Sequence, residues 1–182
     1  MARNPVPEKW TVTDYLAYKV ESGIRHEYID GEIFAMSGGT DKHSLIIANI
    51  NGSLWQSAKE TDCRVYSTDM RVKVSETKYL NPDLSIVCGT AEFDDDNHTM
   101  LTNPTVVIEV TSDSSESYDK GIKAEFYRSM DSLQAYLVID QDRIQAQIFT
   151  RETASWRLQQ FDDIKQIIPL PDLELPLSDV YF

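Results

Sequence analysis

The chain has 182 residues, 41% hydrophobic and 26% charged, with 7 Gly and 7 Pro; this suits one α/β domain and excludes collagen-like, coiled-coil and disordered classes. With 17 basic and 30 acidic residues the formal net charge is −13, which disfavours a non-specific nucleic-acid binder working through a basic surface, because such binding relies on Lys and Arg displacing counterions. It leaves room for an enzyme that meets nucleic acid through a local basic strip and a bound metal.

Residues 1–10 hold Pro5 and Pro7 and no apolar run, so no signal peptide is expected. Residues 10–22 place Trp10, Leu16, Ala17 and Val20 near helical spacing, with Thr11 or Thr13 as N-cap and Gly23 as the stop. His26-Glu27-Tyr28-Ile29, Asp30-Gly31 and residues 32–36 predict a hairpin. A Ser-Gly-Gly-Thr loop at 37–40 leads into a long amphipathic helix over 42–59, carrying Leu45, Ile46, Ala48, Ile50, Leu54 and Trp55. The period then shifts to two, predicting strands at 64–67, 70–74 and 83–87, followed by an acidic loop at 92–98. The most apolar strand is 105–111. A helix over 117–130, a buried strand at 134–140, an antiparallel pair at 144–150 and 156–161, and a tail with a strand and a short turn complete the chain.

This order predicts a mixed sheet flanked by helices, with a crossover through the 117–130 helix. The longest apolar stretch, 135–139, is far too short to cross a bilayer. Cys63 and Cys88 form no CxxC pair. Each sits at the edge of an apolar run and reads as a small buried hydrophobe in a reducing compartment, so a soluble, cytoplasmic protein is expected.

Val106-Val107-Ile108-Glu109-Val110 is the most informative segment. Its apolar residues occupy both faces, as in a central strand, and Glu109 lies on the face of Val107 and Thr111. A carboxylate there needs a cation or several donors, which leaves open a structural pair with a lysine. Asp83 follows Asn81-Pro82 and points to the face of Ser85 and Val87; alone it reads as a turn or strand-start residue. Together, Asp83 and Glu109 at the ends of adjacent strands form an oxygen-lined pair suited to Mg²⁺ or Mn²⁺. Asp119, Lys123 and Tyr127, at i, i+4 and i+8, make one helix stripe. The stripe is either a surface ion pair or a group turned toward those carboxylates. The apolar neighbours Ile122 and Phe126 set Lys123 nearer the buried face than Lys120. Arg71 is a candidate phosphate contact, and His43, beside the Gly38-Gly39 loop, faces the site or serves as a cap.

The run Arg25-His26-Glu27-Tyr28-Ile29-Asp30-Gly31-Glu32, His43, Asp69-Met70-Arg71-Val72, Pro82-Asp83, residues 104–112, Asp119 with Lys123 and Tyr127, and residues 135–140 together resemble the Uma-two family. This is a bacterial domain family within the PD-(D/E)XK nuclease superfamily of restriction endonucleases. The resemblance covers nearly the whole chain. It implies a restriction-endonuclease-like fold and Mg²⁺-dependent phosphodiester hydrolysis on DNA, with Asp83 and Glu109 as metal carboxylates and Glu27 as an accessory ligand. Thr111 stands where the superfamily's strand lysine would be, and the family's placement of the lysine on the next helix points to Lys123. The resemblance implies a homodimer too, and the sequence adds the Ile167-Ile168 pair and the prolines of the tail as a candidate two-fold contact. The competing reading is a nuclease fold kept as a binding or assembly module without catalysis. A phosphohydrolase acting on a small nucleotide is a third.

Overall fold

The computed structural model describes residues 9–22, 25–36 and 38–182; the expected helix stop at Gly23, the first eight residues and Ser37 lie outside them. In chain order the elements are α1 (Val12–Ser22), β1 (His26–Ile29), β2 (Glu32–Ala35), α2 (Asp41–Ala58), β3 (Cys63–Ser67), β4 (Arg71–Ser75), β5 (Lys78–Leu80), β6 (Leu84–Cys88), β7 (Met100–Leu101), β8 (Val106–Thr111), α3 (Glu116–Lys120), α4 (Ile122–Arg128), β9 (Ala135–Asp140), β10 (Ala146–Arg151), β11 (Trp156–Phe161), β12 (Ile167–Leu170), β13 (Leu173–Pro176) and α5 (Leu177–Val180).

The strands form two larger sheets rather than one. The first has the order β2-β1-β5-β4-β7 and the second β11-β10-β9-β8-β6-β3, with β12 and β13 a separate hairpin. Alternation of apolar residues reports which side chains are buried, not which strand lies alongside. That is why the two strands expected at 64–67 and 70–74 are found, as β3 and β4, but in different sheets, a division the sequence does not announce; the short β5 and β7 are not among the expected strands. Both larger sheets are mixed: β4 and β7 are parallel, as are β8 and β9, and the remaining pairs are antiparallel. The parallel β8–β9 pair is joined by the crossover through α3 and α4.

That crossover is two short helices instead of the one expected. The chain breaks at Gly121 (φ −101°, ψ −107°), where a Cβ would lie 2.6 Å from the Ser117 carbonyl oxygen. At the start of α1, Thr11 Oγ1 accepts from the Asp14 N–H at 3.2 Å, which makes Thr11 the cap.

β8 is covered on both faces. Val106, Ile108 and Val110 pack with Ile46, Ile50 and Leu54 of α2 in one apolar cluster. Val107 faces the other way and joins Ala124 and Tyr127 of α4 and Val72 and Leu80 of the first sheet. A period of two therefore turns Glu109 toward the α4 side, between the sheets.

The cysteine reading is corrected here. β3 and β6 run antiparallel with Cys63 directly opposite Cys88, at a Cα–Cα distance of 3.9 Å, and the two are joined as a disulfide. No local spacing in the sequence announces a pairing set by strand register.

Candidate active site

The β6–β8 register pairs Leu84 with Ile108, which brings Asp83, one residue before β6, alongside Glu109. Both are buried. The Val110 N–H donates to Asp83 Oδ2 at 2.8 Å, tying the carboxylate to the neighbouring strand. Glu27 reaches the same place from β1, and its Oε2 accepts from the Tyr118 hydroxyl at 2.9 Å. Lys123, only 3% exposed, projects from α4 among these acids. Its Nζ lies 2.9 Å from Glu109 Oε1, 3.1 Å from Glu27 Oε1 and 3.9 Å from Asp119 Oδ1.

Glu27, Asp83, Glu109, Asp119 and Lys123 all line one half-enclosed cavity of about 520 Å³, together with His43 at the first turn of α2. Lys120 points elsewhere and pairs with Glu116 at 2.5 Å.

The electrostatics follow from burial. Desolvation drives the Glu109 pKa well above the usual carboxylate range, with the Lys123 charge opposing it. Asp119 is raised for the same first reason. Burial disfavours the Lys123 charge, but Glu109, Glu27 and Asp119 outweigh it, so the lysine titrates above its ordinary value and stays protonated.

His43 Nε2 lies 3.3 Å from Asp83 Oδ2, and that contact raises the imidazole above its ordinary value of 6.5, against partial burial. A raised folded-state value means the stabilisation is full below pH 6.5 and fades as pH rises through the higher value. His43→Ala is therefore expected to lose about 1 kcal/mol relative to wild type at pH 6 and almost nothing at pH 9, read from paired urea melts. A Cβ on Gly39 would lie 2.6 Å from His43 Nδ1. Gly39→Ala should push the ring off Asp83 and reproduce the same pH-dependent loss.

Two residues named from the sequence do not reach the cavity. Arg71 is buried in β4 and donates from Nη2 to Thr99 Oγ1 at 3.0 Å, so it does not present its guanidinium to a phosphate. Tyr127 is fully buried beneath the site, stacked on Tyr136 at 5.5 Å between ring centroids. Tyr118 is the contact that sequence reasoning missed, since a tyrosine one residue before Asp119 carries no pattern of its own.

The donors here are carboxylate oxygens, the type that hard divalent cations select. Glu109 Oε1 is buried with no aligned hydrogen-bond donor, its ion pair to Lys123 notwithstanding. In donor type the residues fit Mg²⁺ or Mn²⁺. Among the described residues, however, three ligating side chains close to within 4.8 Å of one another only at Cys63, Cys88 and Asp172, where the sulfurs are already bonded to each other. Glu27 and Glu109 are instead drawn together around the Lys123 ammonium.

Comparisons with known proteins agree with this architecture. Two proteins of Synechocystis sp. (strain ATCC 27184 / PCC 6803 / Kazusa) are similar along most of their length. Slr1290 is 31% identical over 146 residues, 80% of this chain and 75% of that protein. Sll1609 is 31% identical over 132 residues, 72% of this chain and 75% of that protein. A solved structure described as a putative nuclease belonging to DUF820, from Anabaena variabilis ATCC 29413, superposes with a TM-score of 0.76 at 19% identity, covering 94% of this chain and 97% of that one. At that identity the superposition speaks for the fold. The Uma2 family, described as "Putative restriction endonuclease", matches residues 12–178, and the chain belongs to it.

Proposed function

We propose that the protein is a metal-dependent nuclease that hydrolyses phosphodiester bonds of DNA. The observation that carries the reading is the convergence of Asp83, Glu109 and a buried, protonated Lys123 in one cavity. Asp83 and Glu109 would hold the cation, with Glu27 beside them. A bound Mg²⁺ or Mn²⁺ supplies Lewis acidity and makes water a better nucleophile near neutral pH.

The chain's own groups supply the rest. Lys123 sets a fixed positive charge where negative charge grows on the phosphoryl oxygens. Val110 N–H and His43 hold Asp83 in orientation. In the net reaction water's oxygen bonds to phosphorus, the P–O bond to the leaving sugar oxygen breaks, and that oxygen takes a proton.

A non-catalytic binding module is the second reading. The observation favouring it is that Lys123 already neutralises Glu27 and Glu109. One assay separates the two. Plasmid DNA and a small diester, methyl p-nitrophenyl phosphate, are incubated with Mn²⁺ and either wild type or Asp83→Asn. Wild-type hydrolysis that falls at least 100-fold in Asp83→Asn, about the effect of removing one transition-state interaction, supports the enzyme. Equal background from both proteins supports the module. A homodimer belongs to the same proposal, and light scattering that finds only a 20.8 kDa species would reject it.

A further inference from the structure

The acidic groups of the site lie on a floor. Glu27, Asp83, Glu109 and Lys123 are each no more than 5% exposed, and the cavity above them is walled by the β1–β2 hairpin, the first turn of α2 and the serine loop before α3. A reacting phosphate has to enter to meet them. Its volume, about 520 Å³, falls in the range of small-ligand sites, roughly 300–1,000 Å³. Duplex DNA is stiff over about 150 bp and carries its phosphates on an outer rim; a single strand can turn one phosphate inward.

The wall of that cavity is apolar along the hairpin. Phe34 lines it, is 46% exposed and belongs to none of the three apolar clusters. Its strand neighbour Ile33 packs the other way, against the cluster of Tyr15, Tyr28 and Tyr79. Ala35 and Met36 extend the wall. An exposed ring beside a phosphate site is what an unpaired base stacks on.

Charge limits the length of the contact. Among the described residues the cavity is lined by two of the Lys and Arg side chains, Lys123 and Arg25; Lys42, Lys120 and Arg143 lie outside its lining and pair with Asp142 at 2.8 Å, Glu116 at 2.5 Å and Asp140 at 2.6 Å. Tracking many phosphates, of a duplex or of a single strand, needs a row of cations, so the contact here is a short one, at one phosphate and one base. Arg25, which lines the cavity and donates to the Thr68 carbonyl oxygen at 3.4 Å, can serve one phosphate but not a row.

We infer that the substrate of this site is single-stranded DNA, with one base stacked on Phe34. The inference rests on the nuclease reading, and its test keeps the two apart. Fluorescence anisotropy with a labelled single strand and with the same sequence as a duplex measures binding. Cleavage of both, beside the small diester, measures activity. The expected result is at least tenfold tighter binding of the strand than of the duplex, with Phe34→Ala weakening strand binding about tenfold or more. Phe34→Tyr should restore it, and Leu158→Ala, an exposed apolar residue on β11, should not matter. Where cleavage is seen, Phe34→Ala should raise KM for the strand more than it lowers kcat. Equal binding of strand and duplex, or strand binding indifferent to Phe34→Ala, overturns the inference even if the diester is hydrolysed. If nothing is hydrolysed but the strand binds through Phe34, the nuclease reading fails and with it the strand's standing as substrate, and only the stacking contact is kept.

Discussion

Lys123→Ala is expected to lose about 3–5 kcal/mol of folding stability at pH 8 and to leave no metal-dependent hydrolysis. The stability loss follows from removing one member of a buried charged cluster. Glu27 and Glu109 face the lysine at 3.1 and 2.9 Å and have almost no access to water. The cost should shrink in acid. Burial already pushes Glu109 toward its neutral form, so without the lysine it takes a proton readily and the uncompensated charge disappears. Urea melts at pH 8 and pH 5 would show the difference narrowing. Lys120→Ala is the internal control: its part-exposed pair with Glu116 is an i,i+4 contact worth a few tenths of a kcal/mol. A Lys123→Ala protein as stable and as active as wild type would show that the ammonium neither supports the fold nor serves the chemistry.

Reduction of the Cys63–Cys88 disulfide is expected to cost about 3.5 kcal/mol, the chain-entropy value for cross-linked residues 25 apart. The closed loop holds β4, β5 and the Asn81-Pro82-Asp83 segment, and reduction frees that segment in the unfolded ensemble. The measurement is a urea midpoint with and without dithiothreitol, alongside the Cys63→Ser/Cys88→Ser double variant. The double variant should match the reduced wild type and ignore the reductant. A wild-type midpoint that does not move on reduction would show that the bond contributes nothing to stability.

The sequence was most legible where burial is strongest. The apolar run around Glu109 announced a central strand, and the alternation of Asp83, Ser85 and Val87 set the face that β6 turns between the sheets. Lys123 is buried as expected, but Ile122 is 50% exposed and Phe126 only half-buried, so the buried side of the helix is marked by Ala124 and Tyr127 and not by the residues that pointed to it, and the continuous helix expected there is two. A glycine between two helical patterns reads as a tolerated residue, and the close approach to the Ser117 carbonyl that breaks the helix exists only in three dimensions. Arg71 was misjudged for a related reason. A strand arginine next to a valine shows no sign of which sheet will enclose it, and here Val72 faces a core while Arg71 is sealed beside Thr99. The register that joins Cys63 to Cys88 depends on two strands meeting, information no single segment carries.

The place of Lys123 between Glu27 and Glu109 has a consequence for how the protein is assembled. Small metal-built domains fold only when their ion arrives, because nothing else silences the repulsion among their ligands. Here the chain carries its own internal counterion, Lys123 between Glu27 and Glu109, so folding is expected to need no divalent cation to offset their charge. If the proposed metal-dependent hydrolysis holds, a chelator is expected to stop it without moving the melting temperature.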